Sequence, residues 1–108
     1  MQMTQVNECL NRIEQCADDA LAAMKGATDT PQELRGTLTE FHRQARDLRD
    51  AAKQSIDEQR LIGEVDRLEK TGDRAKEACQ AAGSVDQRLQ AAVMRAHDEV
   101  SSLKHQLH

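Results

Sequence analysis

The stretch of sequence that decides the fold is TPQELRGTLTEFHRQARDLRDAAKQSIDEQRLI, residues 30–62. Apolar side chains recur in it at alternating steps of four and three, a spacing that places them along one face of a helix. These positions, which we call the α2 seam, are Leu34, Leu38, Phe41, Ala45, Leu48 and Ala52. The spacing predicts a helix over about residues 31–54 that packs this seam into a core.

The apolar face of this stretch reverses near Ser55. At about 100° per residue, the apolar positions from Leu34 to Ile56 cluster within roughly 40° of one direction. The following ones point roughly the opposite way: Leu61, Val65, Leu68, Ala75 and Cys79. We therefore predict a break between Lys53 and Asp57, and an all-α antiparallel four-helix bundle. The alternative is three helices with one long central helix of about 50 residues, completed by dimerisation.

Capping signals mark the helix starts on either side of the reversal. The motif TPQE at residues 30–33 is typical of a capping box, with Thr30 as N-cap and Pro31 at the first helical position. The motif SIDE at residues 55–58 is a second, weaker capping box, and SVDQ at residues 84–87 begins the last helix after Gly83.

A first helix begins with Thr4 as its cap and ends at Gly26. Together the signals predict one domain with helices at about residues 4–25, 31–54, 57–82 and 85–107. The four-three alternation of the first helix is like that of a coiled coil. We identify no internal repeat in the sequence.

Composition excludes several classes of function. The 108 residues carry a net charge of -4 and include one aromatic residue, so the surface suits neither phosphate backbones nor base stacking. The N-terminal residues do not form a signal sequence, and the chain has no long apolar run, so we predict no membrane association and a cytoplasmic location. Much of the apolar content is Ala, which gives a thin core and favours dimerisation.

A row of basic residues runs beside the α2 seam. It contains the candidate binding residues Arg35, His42, Arg46 and Arg49, followed by Lys53. One interpretation is a site for an anionic ligand or an acidic partner. The other is ion pairing with Glu14 and Asp18 of the first helix, which would fix the register of the two helices.

His42 gives the chain two partial resemblances to known families. Histidine phosphotransfer domains are four-helix bundles of similar size with an exposed His followed by Lys and Gly, where this chain has Ala45 and Arg46. That resemblance implies phosphoryl transfer on His42, steadied by Arg46 or Arg43. The spacing of Arg35 and His42 also resembles HEPN-type helical ribonucleases, which implies a general base and a phosphate-binding Arg.

Other polar residues predict structure rather than chemistry. The Glu-x-x-His pairs of di-iron bundles do not occur, so we predict no metal and no cofactor. Cys9, Cys16 and Cys79 are expected to be reduced, small, apolar residues at or beside the core, and Gly72 to allow close helix packing.

No motif in the chain states a function. In length and composition the chain resembles the short all-helical proteins of bacteria. We predict a non-enzymatic protein-interaction or scaffold module that self-associates or binds a protein partner, with no catalytic residues. The alternative is a phosphoryl-relay or phosphate-handling bundle centred on His42.

Overall fold

A computed structural model describes residues 3–27, 30–83 and 85–107. They form four helices: α1 (Met3–Gly26), α2 (Gln32–Lys53), α3 (Glu58–Ala82) and α4 (Gln87–Leu107). Both α1 and α3 pack against α2 and α4. In these ranges α1 does not come close to α3, and α2 does not come close to α4. The predicted four-helix bundle is thus confirmed, and its extents are 40 × 21 × 18 Å. The alternative prediction of three helices with one long central helix is wrong.

The break between α2 and α3 lies where the apolar face reverses. α2 ends at Lys53, and the N–H of Gln54 bonds to the carbonyl of Ala51 at 3.2 Å. Ser55 then has a φ of 87°, in the left-handed region that L-residues rarely adopt. This one residue turns the chain so that α3 can place its own apolar face on the same core.

Aspartates cap the two helices of the second half. The Asp57 carboxylate accepts a hydrogen bond from the N–H of Gln59 at 2.9 Å, and the Asp86 carboxylate accepts one from the N–H of Arg88 at 2.9 Å. The prediction that Ser55 begins a capping box is therefore wrong, because Ser55 occupies the turn two residues earlier. The predicted cap at Ser84 lies outside the described residues.

The capping box predicted at residues 30–33 is also wrong. Pro31 is the N-cap of α2, with an extended ψ of 145°, and its carbonyl accepts the N–H of Arg35 at 3.0 Å. Thr30 thus stands one residue outside the cap, and its buried hydroxyl bonds to none of the described residues. Thr4, predicted to cap α1, lies within the helix.

The core contains every position of the α2 seam, together with apolar residues of the other three helices such as Val6, Val65 and Leu103. The largest fully buried side chain is Phe41, and a Cβ added to Gly72 would lie 3.4 Å from the Phe41 Cε2 atom. Gly72 therefore allows the close packing of α3 on α2 that the sequence predicts. All three cysteines are buried and free, as expected: Cys9, Cys16 and Cys79.

The hairpin α1–α2 is repeated by the hairpin α3–α4, 55 positions later. α1 begins at Met3 and α3 at Glu58, and α2 begins at Gln32 and α4 at Gln87. Buried positions correspond in the same register: Val6 and Leu61, Leu10 and Val65, Ile13 and Leu68, Leu34 and Leu89, Leu38 and Val93, Leu48 and Leu103. The helix register is thus repeated although most residue types differ, so the sequence alone does not reveal this repeat.

Candidate functional site

The groove between α1 and α2 contains two polar pairs that join the helices. His42 Nε2 lies 2.5 Å from Asp18 Oδ1, and the Arg49 guanidinium pairs with the Glu14 carboxylate. The His42 side chain is only 20% exposed. These contacts are the inter-helix pairs that the register interpretation predicts for the basic row.

The structure divides the four candidate binding residues into two groups. His42 and Arg49 are directed to α1, as described. Arg35 and Arg46 are exposed and form no ion pair with a described residue, and Lys53 behaves likewise. The structure therefore does not gather the four residues around one point, and their role in binding stays a prediction.

The groove between α3 and α4 has the same two pairs at the corresponding positions. His97 Nε2 lies 2.7 Å from Asp73 Oδ1, and Lys104 Nζ lies 2.8 Å from Glu69 Oε1. The hydrogen bond to Glu69 raises the pKa of Lys104. Each His–Asp pair spans 24 positions. Sequence reasoning missed this second set, although the repeated separation of Glu, Asp and His could have revealed it.

The groove between α2 and α3 is closed by a polar network. The buried Thr71 hydroxyl donates to the Gln44 side-chain carbonyl at 2.8 Å. Arg74 then donates to the Glu40 carboxylate at 3.4 Å and bridges the two helices one turn further along. These hydrogen bonds join α2 to α3 at two successive turns.

The groove between α1 and α4 is crossed by one ion pair and is open on both sides of it. Arg12 Nε lies 3.3 Å from Glu99 Oε2, and this hydrogen bond raises the pKa of Arg12. Arg12 also donates to the Cys9 sulfur at 3.1 Å, beside a recess of about 440 Å³ at the end near Leu107.

A second recess of about 380 Å³, which we call the upper groove, lies beyond that ion pair. Its lining is mostly Ala, with charged residues at the rims: Asp19, Ala22, Ala23, Arg88, Ala91, Ala92 and Arg95. Arg88 and Arg95 are exposed, and neither forms an ion pair with a described residue. The upper groove thus combines an apolar floor with two unpaired cations, a feature that the sequence analysis did not identify.

Neither the thiols nor the acidic residues form a reactive cluster in the described ranges. Burial raises the pKa of the Cys16 and Cys79 thiols, which favours their neutral form. Within residues 3–27, 30–83 and 85–107, no three His, Cys, Asp or Glu side chains come together to hold a metal ion. In the same ranges no helix has the length and apolar character needed to cross a membrane.

The fold and the grooves define an all-α four-helix bundle built from two equivalent hairpins. Comparison with known proteins finds no matching family model, no matching curated protein and no matching solved structure. The grooves of the bundle are therefore the features from which we infer its function.

Proposed function

We propose that this protein is a non-enzymatic interaction module that binds a protein partner at the upper groove. The observation that carries the proposal is the contrast between the two grooves that lie between the hairpins, the α2–α3 groove and the α1–α4 groove. Side chains of Gln44, Thr71 and Arg74 bridge the α2–α3 groove, whereas Arg88 and Arg95 stand unpaired beside an Ala-lined recess between α1 and α4.

The burial of the seam supports this choice of surface. The apolar seam of each helix faces the core, and among the described residues the one large hydrophobic side chain that is exposed is Met3. A partner helix therefore has no free seam on which to dock. Small apolar side chains flanked by charge, as at Ala91 and Arg95, remain as a contact surface.

The wider setting is part of the same proposal. The net charge of -4 and the single aromatic residue support a protein partner rather than a nucleic acid. The three free thiols support a cytoplasmic location, because thiols stay unpaired in reducing compartments.

Site-specific crosslinking tests the proposal. A photo-activatable residue is placed at Ala91 in the upper groove and, as a matched control, at Ala81, an exposed Ala of α3 outside it. We expect protein adducts from position 91 and few from position 81 when the chain is expressed in its own cells. Equal adducts from both positions, or none from position 91, would contradict the proposal.

The alternative of phosphoryl handling on His42 has less support from the geometry. A relay needs an accessible ring nitrogen, whereas Nε2 of His42 contacts Asp18, whose negative charge would repel a phosphate. Its test is acid-labile labelling by a small phosphodonor, which would have to occur in the wild type and disappear in His42→Ala.

A further inference from the structure

The two grooves that join the hairpins carry opposite charges at equivalent positions. Glu33 and Glu40 of α2 correspond, 55 positions earlier, to Arg88 and Arg95 of α4. On the facing helices, Asp19 of α1 corresponds to Arg74 of α3. At these three positions each face therefore carries the charge opposite to that of the other face.

We infer that the upper groove binds α2 of a second copy of this chain. This inference rests on the proposed function and names the partner. Glu33 is exposed and forms no ion pair with a described residue, and the Glu40 side chain is 41% exposed although it contacts Arg74. The Glu33 carboxylate is thus free of ion pairs, and the Glu40 carboxylate, which accepts hydrogen bonds from Gln44 at 3.2 Å and from Arg74 at 3.4 Å, is still exposed to a neighbouring molecule.

The spacing of the charges fits this docking. Seven residues separate the two acidic side chains of α2 and also the two arginines of α4, which is about 10.5 Å along each helix. With α2 of the second copy antiparallel to α4, Arg88 meets Glu40 and Arg95 meets Glu33. In the same arrangement Asp19 of the first copy faces Arg74 of the second copy.

The residues between the charges allow the two helices to approach. Gly36 and Thr37 lie between Glu33 and Glu40, and a Cβ added to Gly36 would have no neighbour within 4 Å. They would rest on Ala91 and Ala92 of the groove floor. Small residues on both sides permit close helix packing without the bulky anchors that this surface lacks.

The symmetry of such an assembly follows from the topology. The α1–α4 face and the α2–α3 face share no helix and lie on opposite sides of the bundle. A contact between them is therefore heterologous, and each added copy leaves one face of each kind free. The result is an open chain of molecules whose mean length increases with concentration and decreases with salt.

Charge reversal with complementation tests the inference. The purified full chain is studied by sedimentation velocity from micromolar concentrations to about 1 mM, the range expected for a few surface ion pairs. We expect the weight-average mass of the wild type to rise with concentration at low salt. Two variants, Arg88→Glu/Arg95→Glu and Glu33→Arg/Glu40→Arg, are each expected to associate at least tenfold more weakly, because like charges then face each other.

An equimolar mixture of these two variants is the decisive sample. The reversed α4 of one variant is complementary to the reversed α2 of the other, so association should return only on mixing. A matched control reverses two exposed cations on the α1–α2 side of the bundle, Lys25→Glu/Lys53→Glu, and should associate like the wild type. Lys25 lies seven residues after Asp18 and Lys53 four residues after Arg49, so both share the side on which α1 and α2 pair with each other. Because Glu40 contacts Arg74, the variant Glu33→Arg alone repeats the test if the double variant unfolds.

The outcomes separate the inference from the proposed function. A wild type that is monomeric at every concentration, or folded variants whose mixture does not associate, would overturn the inference. Adducts between position 91 and another protein would then still support the proposed groove function. Self-association that both reversed variants retain, without adducts at position 91, would contradict the inference and the groove function together.

Discussion

Ser55 is the single residue on which the turn between the two hairpins depends. Its φ of 87° places a residue with a Cβ in the left-handed region, at a cost of roughly 1–2 kcal/mol. The connection contains no Gly, which would adopt this conformation without that cost. The fold therefore retains local strain at its central connection.

We expect Ser55→Gly to raise the free energy of unfolding by about 0.5 kcal/mol. Relief of the left-handed strain outweighs the greater freedom that Gly gives the unfolded chain. Urea denaturation measures the change. The control is Ser102→Gly, the same replacement at an exposed position inside α4, which should lower stability by several tenths of a kcal/mol. Destabilisation of similar size at both positions would contradict the strain at Ser55.

Two glycines in α3 should respond differently to the same substitution. Gly63 is exposed and a Cβ there would have no neighbour within 4 Å, so Gly63→Ala should stabilise the protein by about 0.5–1 kcal/mol through helix propensity. At Gly72 the new methyl group would lie 3.4 Å from Phe41, so Ala should gain less and Leu should destabilise by about 1–3 kcal/mol. Thermal and urea unfolding of the three variants test this order, and a Gly72→Leu variant as stable as Gly63→Ala would contradict it.

At the scale of single residues, the sequence predicts which side chains are buried, but it does not predict which two side chains contact each other. The seam positions from Leu34 to Ala52 are all buried as their spacing predicts, because periodicity depends only on one helix. The sequence also predicts Glu14 and Asp18 as partners of the basic row, but it leaves open which cation pairs with Asp18, so His42 looked like a site residue as well. Finding that contact requires the rotation and stagger of two helices, which periodicity alone does not give.

At the scale of the elements, each hairpin is held by its own pair of polar contacts. His42 with Asp18 joins α1 to α2, and His97 with Asp73 joins α3 to α4, at the same position in both hairpins. These pairs fix the stagger of two helices whose apolar seams alone would permit sliding by a turn.

Double-mutant cycles should find the same coupling in both hairpins. We expect about 0.5–1 kcal/mol between His42 and Asp18, and a similar value between His97 and Asp73, from alanine variants measured by urea denaturation near neutral pH. The control cycle pairs His42 with Asp73, which belong to different hairpins and should show no coupling. Coupling in one hairpin only would contradict their equivalence.

Helix boundaries show where local sequence signals compete. Both SIDE and SVDQ contain Ser and, two residues later, Asp, and either residue type can cap a helix. The structure uses Asp57 and Asp86, because the strained turn at Ser55 places Asp57 at the start of α3. The predicted helix starts are therefore within about two residues of the observed ones, although the capping residues differ.

At the scale of the whole molecule, the two hairpins share a core but differ at their contact surfaces. The α2–α3 groove is bridged by Thr71 and Gln44, whereas the α1–α4 groove keeps a recess beside Arg88 and Arg95. The sequence could not reveal this difference, since it depends on which helix faces which around the bundle. A recess appears only after α1 and α4 are placed side by side.

The stability of the bundle should fall at alkaline pH. Burial raises the pKa of Cys16 and Cys79, and the bond to Glu69 raises that of Lys104. A group with a raised folded-state pKa contributes stability below its unfolded pKa, about 8.5 for a thiol and 10.4 for a lysine, and loses it as pH rises through the folded value. The free energy of unfolding should thus be flat from pH 7 to 8 and decline above about 8.5.

Urea denaturation from pH 7 to 10.5 checks this decline. Each thiol that is neutral when folded and ionised when unfolded lowers stability by up to about 1.4 kcal/mol per pH unit. The variant Cys16→Ala/Cys79→Ala should be less stable at pH 7, through lost packing, and should decline less steeply up to pH 10. A slope equal to that of the wild type would show that the thiols do not contribute.

The contact between α1 and α4 also makes the fold suitable for circular permutation. Cys9 of α1 lies 4.0 Å from the side chain of Gln106 in α4, so the first turns of α1 and the last turn of α4 are neighbours, at the same end of the bundle as the α2–α3 connection. A circular permutant that joins them by a short Gly-Ser linker and opens the chain at residues 54–57 would be read in the order α3, α4, α1, α2. We expect it to give the same helical circular dichroism spectrum and one cooperative unfolding transition. Loss of cooperativity would mean that the order of the hairpins matters to the fold.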